Sequence, residues 1–114
     1  MTMQVKKLNK GDVLWWHGEF ATTIAFVDKG RLGIKTEDGL IGVVGPDGVI
    51  GESALLAEGG VVPKRRAAVI AIEESSVTEY PVSFVREGVG VGIPRKVLRT
   101  LIGLRDLGNS VLVV

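Results

Sequence analysis

Two short stretches hold the residues best suited to chemistry. Gly51-Glu52-Ser53-Ala54-Leu55-Leu56 joins a glycine turn and a carboxylate to a run of helix formers. Pro63-Lys64-Arg65-Arg66-Ala67-Ala68-Val69 brings arginine to the start of an apolar strand, followed by two residues small enough to let a ligand approach the backbone. The free N–H groups of a helix N-terminus attract an anion, and a nearby guanidinium adds a charge-assisted, bidentate clamp for phosphate. Glu52 is itself anionic and cannot serve the phosphate; beside such a site it suits the acceptor of a sugar hydroxyl. The two stretches together predict a phosphorylated sugar or nucleotide as ligand. Which of Arg65 and Arg66 faces it stays open, because a one-residue shift of register in the strand exchanges their faces.

Other chemistry finds little support. The chain has no cysteine and one histidine, His17, so neither a thiolate zinc site nor a histidine cluster can form. Ser75-Ser76 has no histidine within reach by sequence, and the acidic pairs Glu37-Asp38 and Glu73-Glu74 fall in turns, where they read as solvated charge. Gly88, Gly90 and Gly92 follow no convincing parallel strand and lack the context of a dinucleotide fingerprint. The expectation is a protein that is not an enzyme, with no catalytic residue, no metal and no cofactor. Lys and Arg number 14 against 13 Asp and Glu, a net charge of +1, which offers no field for nucleic acid. The run Lys64-Arg65-Arg66 is short and has no interleaved aromatics, so it is a poor nucleic-acid patch.

The elements that position these residues follow from the punctuation of the chain. At 114 residues there is room for one core, and residues 1–114 read as a single domain. The 16 glycines and an abundance of valine and isoleucine favour short strands over a helical bundle. Turn signals recur every eight to twelve residues, roughly the spacing of an all-β barrel or sandwich. They separate strands at 13–16, 23–27, 31–35, 40–44, 67–72 and 77–82. In 13–16, Trp15 and Trp16 point to opposite faces, one into the core and one outward. The period changes near the C-terminus, where Val97, Leu98, Leu101, Ile102 and Leu104 recur at steps of three and four. Residues 94–107 are therefore predicted as an amphipathic helix, with Arg95, Lys96, Arg99 and Arg105 on its polar face. A shorter helix can start near Val82 and stop at Gly88. The strand region spans about 5–82 and the helical part about 83–110. No signal-like core or run of 18 apolar residues occurs, so a soluble cytoplasmic protein without a membrane segment is expected.

The order Gly51-Glu52-x-Ala54-Leu55-Leu56, then Arg66-Ala67-Ala68, resembles the phosphate-binding cassette of cyclic nucleotide-binding domains. Upstream, Gly11-Asp12-Val13-Leu14, Gly18-Glu19 and the run from Phe26 through Gly30 and Gly33 to Ile34 are similar to that family's glycine turns. The resemblance covers about residues 8–105. It implies a mainly β fold, a double-stranded β-helix or jelly-roll barrel with short helices and the C-terminal amphipathic helix. It also implies cAMP or cGMP as ligand, with the choice open. By the same resemblance Arg66 takes the cyclic phosphate and Glu52 the ribose 2′-hydroxyl; Gly51, Ser53 and Ala54 open the short helix facing the phosphate, and Ala67 and Ala68 supply backbone contact.

The function expected on this basis is a small-molecule sensor that signals by conformational change. No output segment follows the helix in this sequence, so the signal is expected to pass to a protein partner or a homodimer through the C-terminal helix and the apolar residues Val111, Leu112, Val113 and Val114. The alternative is a barrel that has lost its nucleotide and serves interaction or oligomerisation. Its support is the extra length Gly59-Gly60-Val61-Val62 between Glu52 and the arginines.

Overall fold

The computed structural model describes residues 3–51, 54, 61–83 and 114. Eight strands follow one another: β1 (Gln4–Leu8), β2 (Val13–Trp15), β3 (Thr23–Lys29), β4 (Leu32–Thr36), β5 (Gly39–Val44), β6 (Val49–Ile50), β7 (Ala68–Ala71) and β8 (Ser75–Pro81). They form two four-stranded antiparallel sheets with orders β1-β8-β3-β6 and β2-β7-β4-β5. Pairs β1·β8, β2·β7, β3·β6 and β4·β5 each sum to nine. The chain is thus one long hairpin, turned at β4–β5 and wrapped across two faces in the two-sheet jelly-roll order.

The expected mainly β fold is present, but a closed barrel is not. Among the described residues no ladder joins one sheet to the other; the chain passes between them at corners, as in a sandwich. At the β1–β2 corner Gly11 donates its backbone N–H to the Ala71 carbonyl at 2.7 Å, and Ala71 donates back to Asp12 at 2.9 Å. At the β3–β4 corner the Arg31 carbonyl accepts from Ile72 N–H at 3.1 Å and from Ser75 Oγ at 3.2 Å.

The six predicted strands all occur, with β1 and β6 in addition. Ser75 and Ser76, between the predicted strands 67–72 and 77–82, begin β8. One core fills the space between the sheets: Leu8, Leu14, Trp15, Ala25, Val27, Leu32, Ile34, Ile50, Ala67, Val69, Ala71, Val77 and Val114. Val114 belongs to this core and is fully buried, so that member of the apolar tail packs against its own domain. Val82 and Ser83 start a helical turn. The helix predicted at 94–107, the remainder of the shorter one and tail residues 111–113 lie outside the described residues. No helix among the described residues is long and apolar enough to cross a membrane.

Candidate functional site

The approach to β7 determines which arginine faces inward. Arg65 donates its backbone N–H to the Glu19 carbonyl at 2.7 Å and accepts from Gly18 N–H at 2.9 Å, while Phe20 and Lys64 form an antiparallel bridge. Residues 63–65 are therefore held extended against the 18–21 segment, and extended chain alternates its side chains. Arg65, Ala67, Val69 and Ala71 all turn inward, with exposures of 2% or less. Lys64 and Arg66 turn outward, Lys64 with its ammonium 5.7 Å from the centroid of the exposed Phe20 ring. Of the two arginines left open by the sequence, the one inside is Arg65.

Its guanidinium lies flat in a ring of acceptors. Nη2 donates to the Thr23 carbonyl at 2.7 Å and to Thr23 Oγ1 at 3.3 Å. Nη1 reaches the Gly51 carbonyl at 3.5 Å and a main-chain oxygen of Val114 at 3.4 Å. The Trp15 ring stacks beneath, its centroid 3.5 Å from Cζ, a cation–π contact strengthened by burial. Gly51 makes this approach possible. Its φ of 96° suits glycine, and a Cβ there would lie 2.7 Å from Trp15 Cη2 and 3.0 Å from both Arg65 Nη1 and the Thr23 carbonyl.

Behind the arginine stands a carboxylate that sequence reasoning missed. Glu79, on β8 opposite Ala25 of β3 and Gln4 of β1, is 6% exposed. Its Oε2 accepts from Thr23 Oγ1 at 2.6 Å and from Trp15 Nε1 at 3.4 Å, and Oε1 pairs with Lys6 Nζ at 2.5 Å. Trp15, Thr23, Arg65 and Glu79 thus form one buried polar group drawn from β2, β3, β8 and the approach to β7. A signal existed for Arg65: it shares strand parity with the small and branched residues Ala67, Val69 and Ala71. None existed for Glu79, because both faces of β8 are largely covered and Thr78, Glu79 and Tyr80 are all buried.

The other predicted site residues divide as follows. Gly51 and Ala54 are buried; Gly51 adjoins the guanidinium, and the Ala54 N–H donates to the Gly51 carbonyl at 3.1 Å. Ala67 is buried and Ala68 half-buried at the start of β7. Arg66 is exposed, apart from this group. Glu52 and Ser53 lie outside the described residues, as do Gly59 and Gly60 of the extra length. His17, Glu37 and Asp38 are exposed, and no group of three or more His, Asp or Glu suited to a metal ion occurs among the described residues. Trp15 is the inward ring and Trp16, 62% exposed, the outward one. Chemically, the site offers a buried, planar cation with bidentate geometry beside a glycine carbonyl and a short turn. A planar guanidinium of this kind is suited in shape and charge to a small anion.

Comparison with known proteins points the same way. The family model of the cyclic nucleotide-binding domain matches residues 5–89. No curated protein sequence matches. Among solved structures, the cyclic nucleotide-binding-like protein from Brucella abortus bv. 1 str. 9-941 is 25% identical, over 75% of this chain and 73% of that one, with a TM-score of 0.61. The N-terminal domain of a transcriptional regulator from Streptomyces coelicolor A3(2) shares the fold at 23% identity, over 96% and 81%, with a TM-score of 0.65. The regulatory domain of Toxoplasma gondii PKA, co-crystallised with cAMP, is 27% identical over 75% of this chain, with a TM-score of 0.65. The match spans 33% of that Toxoplasma chain.

Proposed function

Because this chain belongs to the cyclic nucleotide-binding domain family, we propose that it is a sensor module that binds a cyclic nucleotide, cAMP or cGMP, through the Arg65 pocket. The observation that carries this reading is the buried Arg65 guanidinium, held flat on Trp15 beside the left-handed Gly51. Arg65, in place of Arg66, takes the cyclic phosphate as a bidentate donor. Gly51 and Ala54 bring backbone close to it, Ser53 contributes beside them, and Glu52 accepts from the ribose 2′-hydroxyl. Ala67 and Ala68 leave room on the β7 side. The cAMP held by the Toxoplasma regulatory domain supports this ligand class. The module acts by binding, and its output is a shift between two conformations with different affinity for the ligand, transmitted to a partner or second copy through the C-terminal region.

Calorimetric titration of the chain with cAMP and cGMP tests this. Saturable heat is expected with at least one of them, weakened by about 100-fold or more in Arg65→Lys, which keeps the charge but loses the planar fork. Loss of binding in Arg66→Ala with full retention in Arg65→Lys reverses the assignment of the phosphate contact. One observation favours a second reading, a module that keeps the fold without the nucleotide: a main-chain oxygen of Val114 already accepts from Arg65 Nη1. On that reading neither nucleotide gives heat at millimolar concentration.

A further inference from the structure

We infer that Glu79 is the positioning residue of the pocket, setting the pose of Arg65 through Thr23 and Trp15. This inference rests on the reading of Arg65 as the phosphate donor. One carboxylate oxygen, Oε2, holds two of the supports between which the guanidinium sits. It accepts the Thr23 hydroxyl proton at 2.6 Å, which turns the lone pairs of Thr23 Oγ1 toward Arg65 Nη2, 3.3 Å away. A threonine hydroxyl has one proton, so once Glu79 has taken it the oxygen can only accept from the arginine. The same Oε2 accepts from Trp15 Nε1 at 3.4 Å and so fixes the rotation of the ring on which Arg65 stacks. Lys6 closes the outer side by pairing with Oε1, which balances the buried negative charge and leaves Oε2 to the pocket.

This placement is costly unless something uses it. A carboxylate buried to 6% exposure must have its lone pairs satisfied, and a hydrophobic residue of similar volume commonly serves stability as well. What a hydrophobic residue cannot do is orient a hydroxyl and an indole together. Pre-orientation of the guanidinium removes part of the ordering cost that an incoming anion would otherwise meet.

The proposal separates from a merely structural role through a mutant cycle. Glu79→Leu and Thr23→Val are each expected to weaken cyclic nucleotide binding by about 5- to 10-fold, on the order of the net worth of one ordinary hydrogen bond. The double variant is expected to lose no more than about 10-fold, because both act on one relay. Glu79→Gln, whose amide oxygen can still accept from Thr23 and Trp15, is expected to stay within about 3-fold of the parent. Multiplicative losses in the double variant, or a Glu79→Gln effect as large as that of Glu79→Leu, overturn the proposal.

A second measurement needs no ligand. In the ligand-free chain, NMR of the Arg65 guanidinium is expected to show restricted Nη rotation in the parent and in Glu79→Gln, and freer rotation in Thr23→Val and Glu79→Leu. The Trp15 indole N–H resonance is expected to move in Glu79→Leu. Unchanged Arg65 rotation in both variants overturns the proposal whatever the titrations give. If the parent binds no nucleotide, the assignment of the ligand falls, and the NMR comparison still decides whether Glu79 positions Arg65.

Discussion

Arg31 and Arg65 each stand close to an acidic residue and a hydroxyl, at different depths in the molecule. Arg31 donates from Nη2 to Glu73 Oε2 at 3.3 Å, with side chains 58% and 45% exposed, and its backbone N–H reaches Ser75 Oγ at 3.1 Å. Arg65 is 2% exposed, meets Thr23 directly and Glu79 through Thr23. In water the exposed pair gains little, since solvent and salt screen it and two long side chains must be ordered to make it. Inside, the same kinds of group cannot be left to solvent, so their geometry is fixed by the strands that carry them. The difference separates a charge kept at an exposed corner from a charge kept inside the fold.

Removing each arginine should show that difference at its largest. Arg65→Met takes its guanidinium donor from the Thr23 carbonyl and leaves a buried gap on Trp15, and is expected to cost about 3 kcal/mol of folding stability. Arg31→Met is expected to cost less than about 1 kcal/mol. Urea denaturation of both variants checks this. Raising the salt to about 1 M should erase most of the Arg31 effect and little of the Arg65 effect. Equal losses would mean that the inner group is no more committed than the surface pair.

The two regions were also unequally legible in the sequence. The strands between glycine turns could be read because their apolar runs and breakers are local. β1 escaped because Gln4, Val5, Lys6 and Lys7 carry little apolar signal, only Leu8 of that strand being buried. β6 escaped because it is two residues long and exists by pairing with Ala25 and Phe26 of β3. Closure of the barrel depended on ladders at the sheet edges, for which no local pattern speaks. In the site, Gly51 and the arginine pair stood out through residue type. Thr23 and Trp15 lie 56 and 64 residues from Glu79, so their meeting belongs to the topology and could not be read from spacing.

A pair of glycines sharpens the contrast with a smaller effect. Gly51 and Gly39 have nearly the same backbone, φ of 96° and 99°, but a Cβ on Gly39 meets nothing within 4 Å whereas one on Gly51 runs into Trp15 and Arg65. Gly39→Ala is expected to cost about 1 kcal/mol, the price of the left-handed conformation alone. Gly51→Ala adds the collision and is expected to cost about 2 kcal/mol, with a change in Trp15 fluorescence that Gly39→Ala lacks. Equal costs and unchanged fluorescence would show that the pocket yields more easily than its packing implies.

The smallest expected effect compares neighbours on β8. Glu79 is buried with partners for its charge, whereas the next residue, Tyr80, is buried where its charge is unwelcome. Desolvation first, and then the negative charge of Asp28, push the Tyr80 phenol above its ordinary value of 10.0. Below the ordinary value both the folded and the unfolded chain keep the proton, and stability does not depend on this group. Between that value and the raised folded one, the unfolded chain releases its proton first, so stability falls as pH rises; above both it is level again. Tyr80→Phe removes this alkaline limb while leaving the ring in the core. Denaturant midpoints of the parent and Tyr80→Phe, followed from about pH 8 to about pH 11, should therefore hold a constant difference at first and then shift in favour of the variant. A difference that never changes would mean that Tyr80 ionises as easily in the folded chain as in the unfolded one, and that water reaches this side of β8 as it does not reach Arg65.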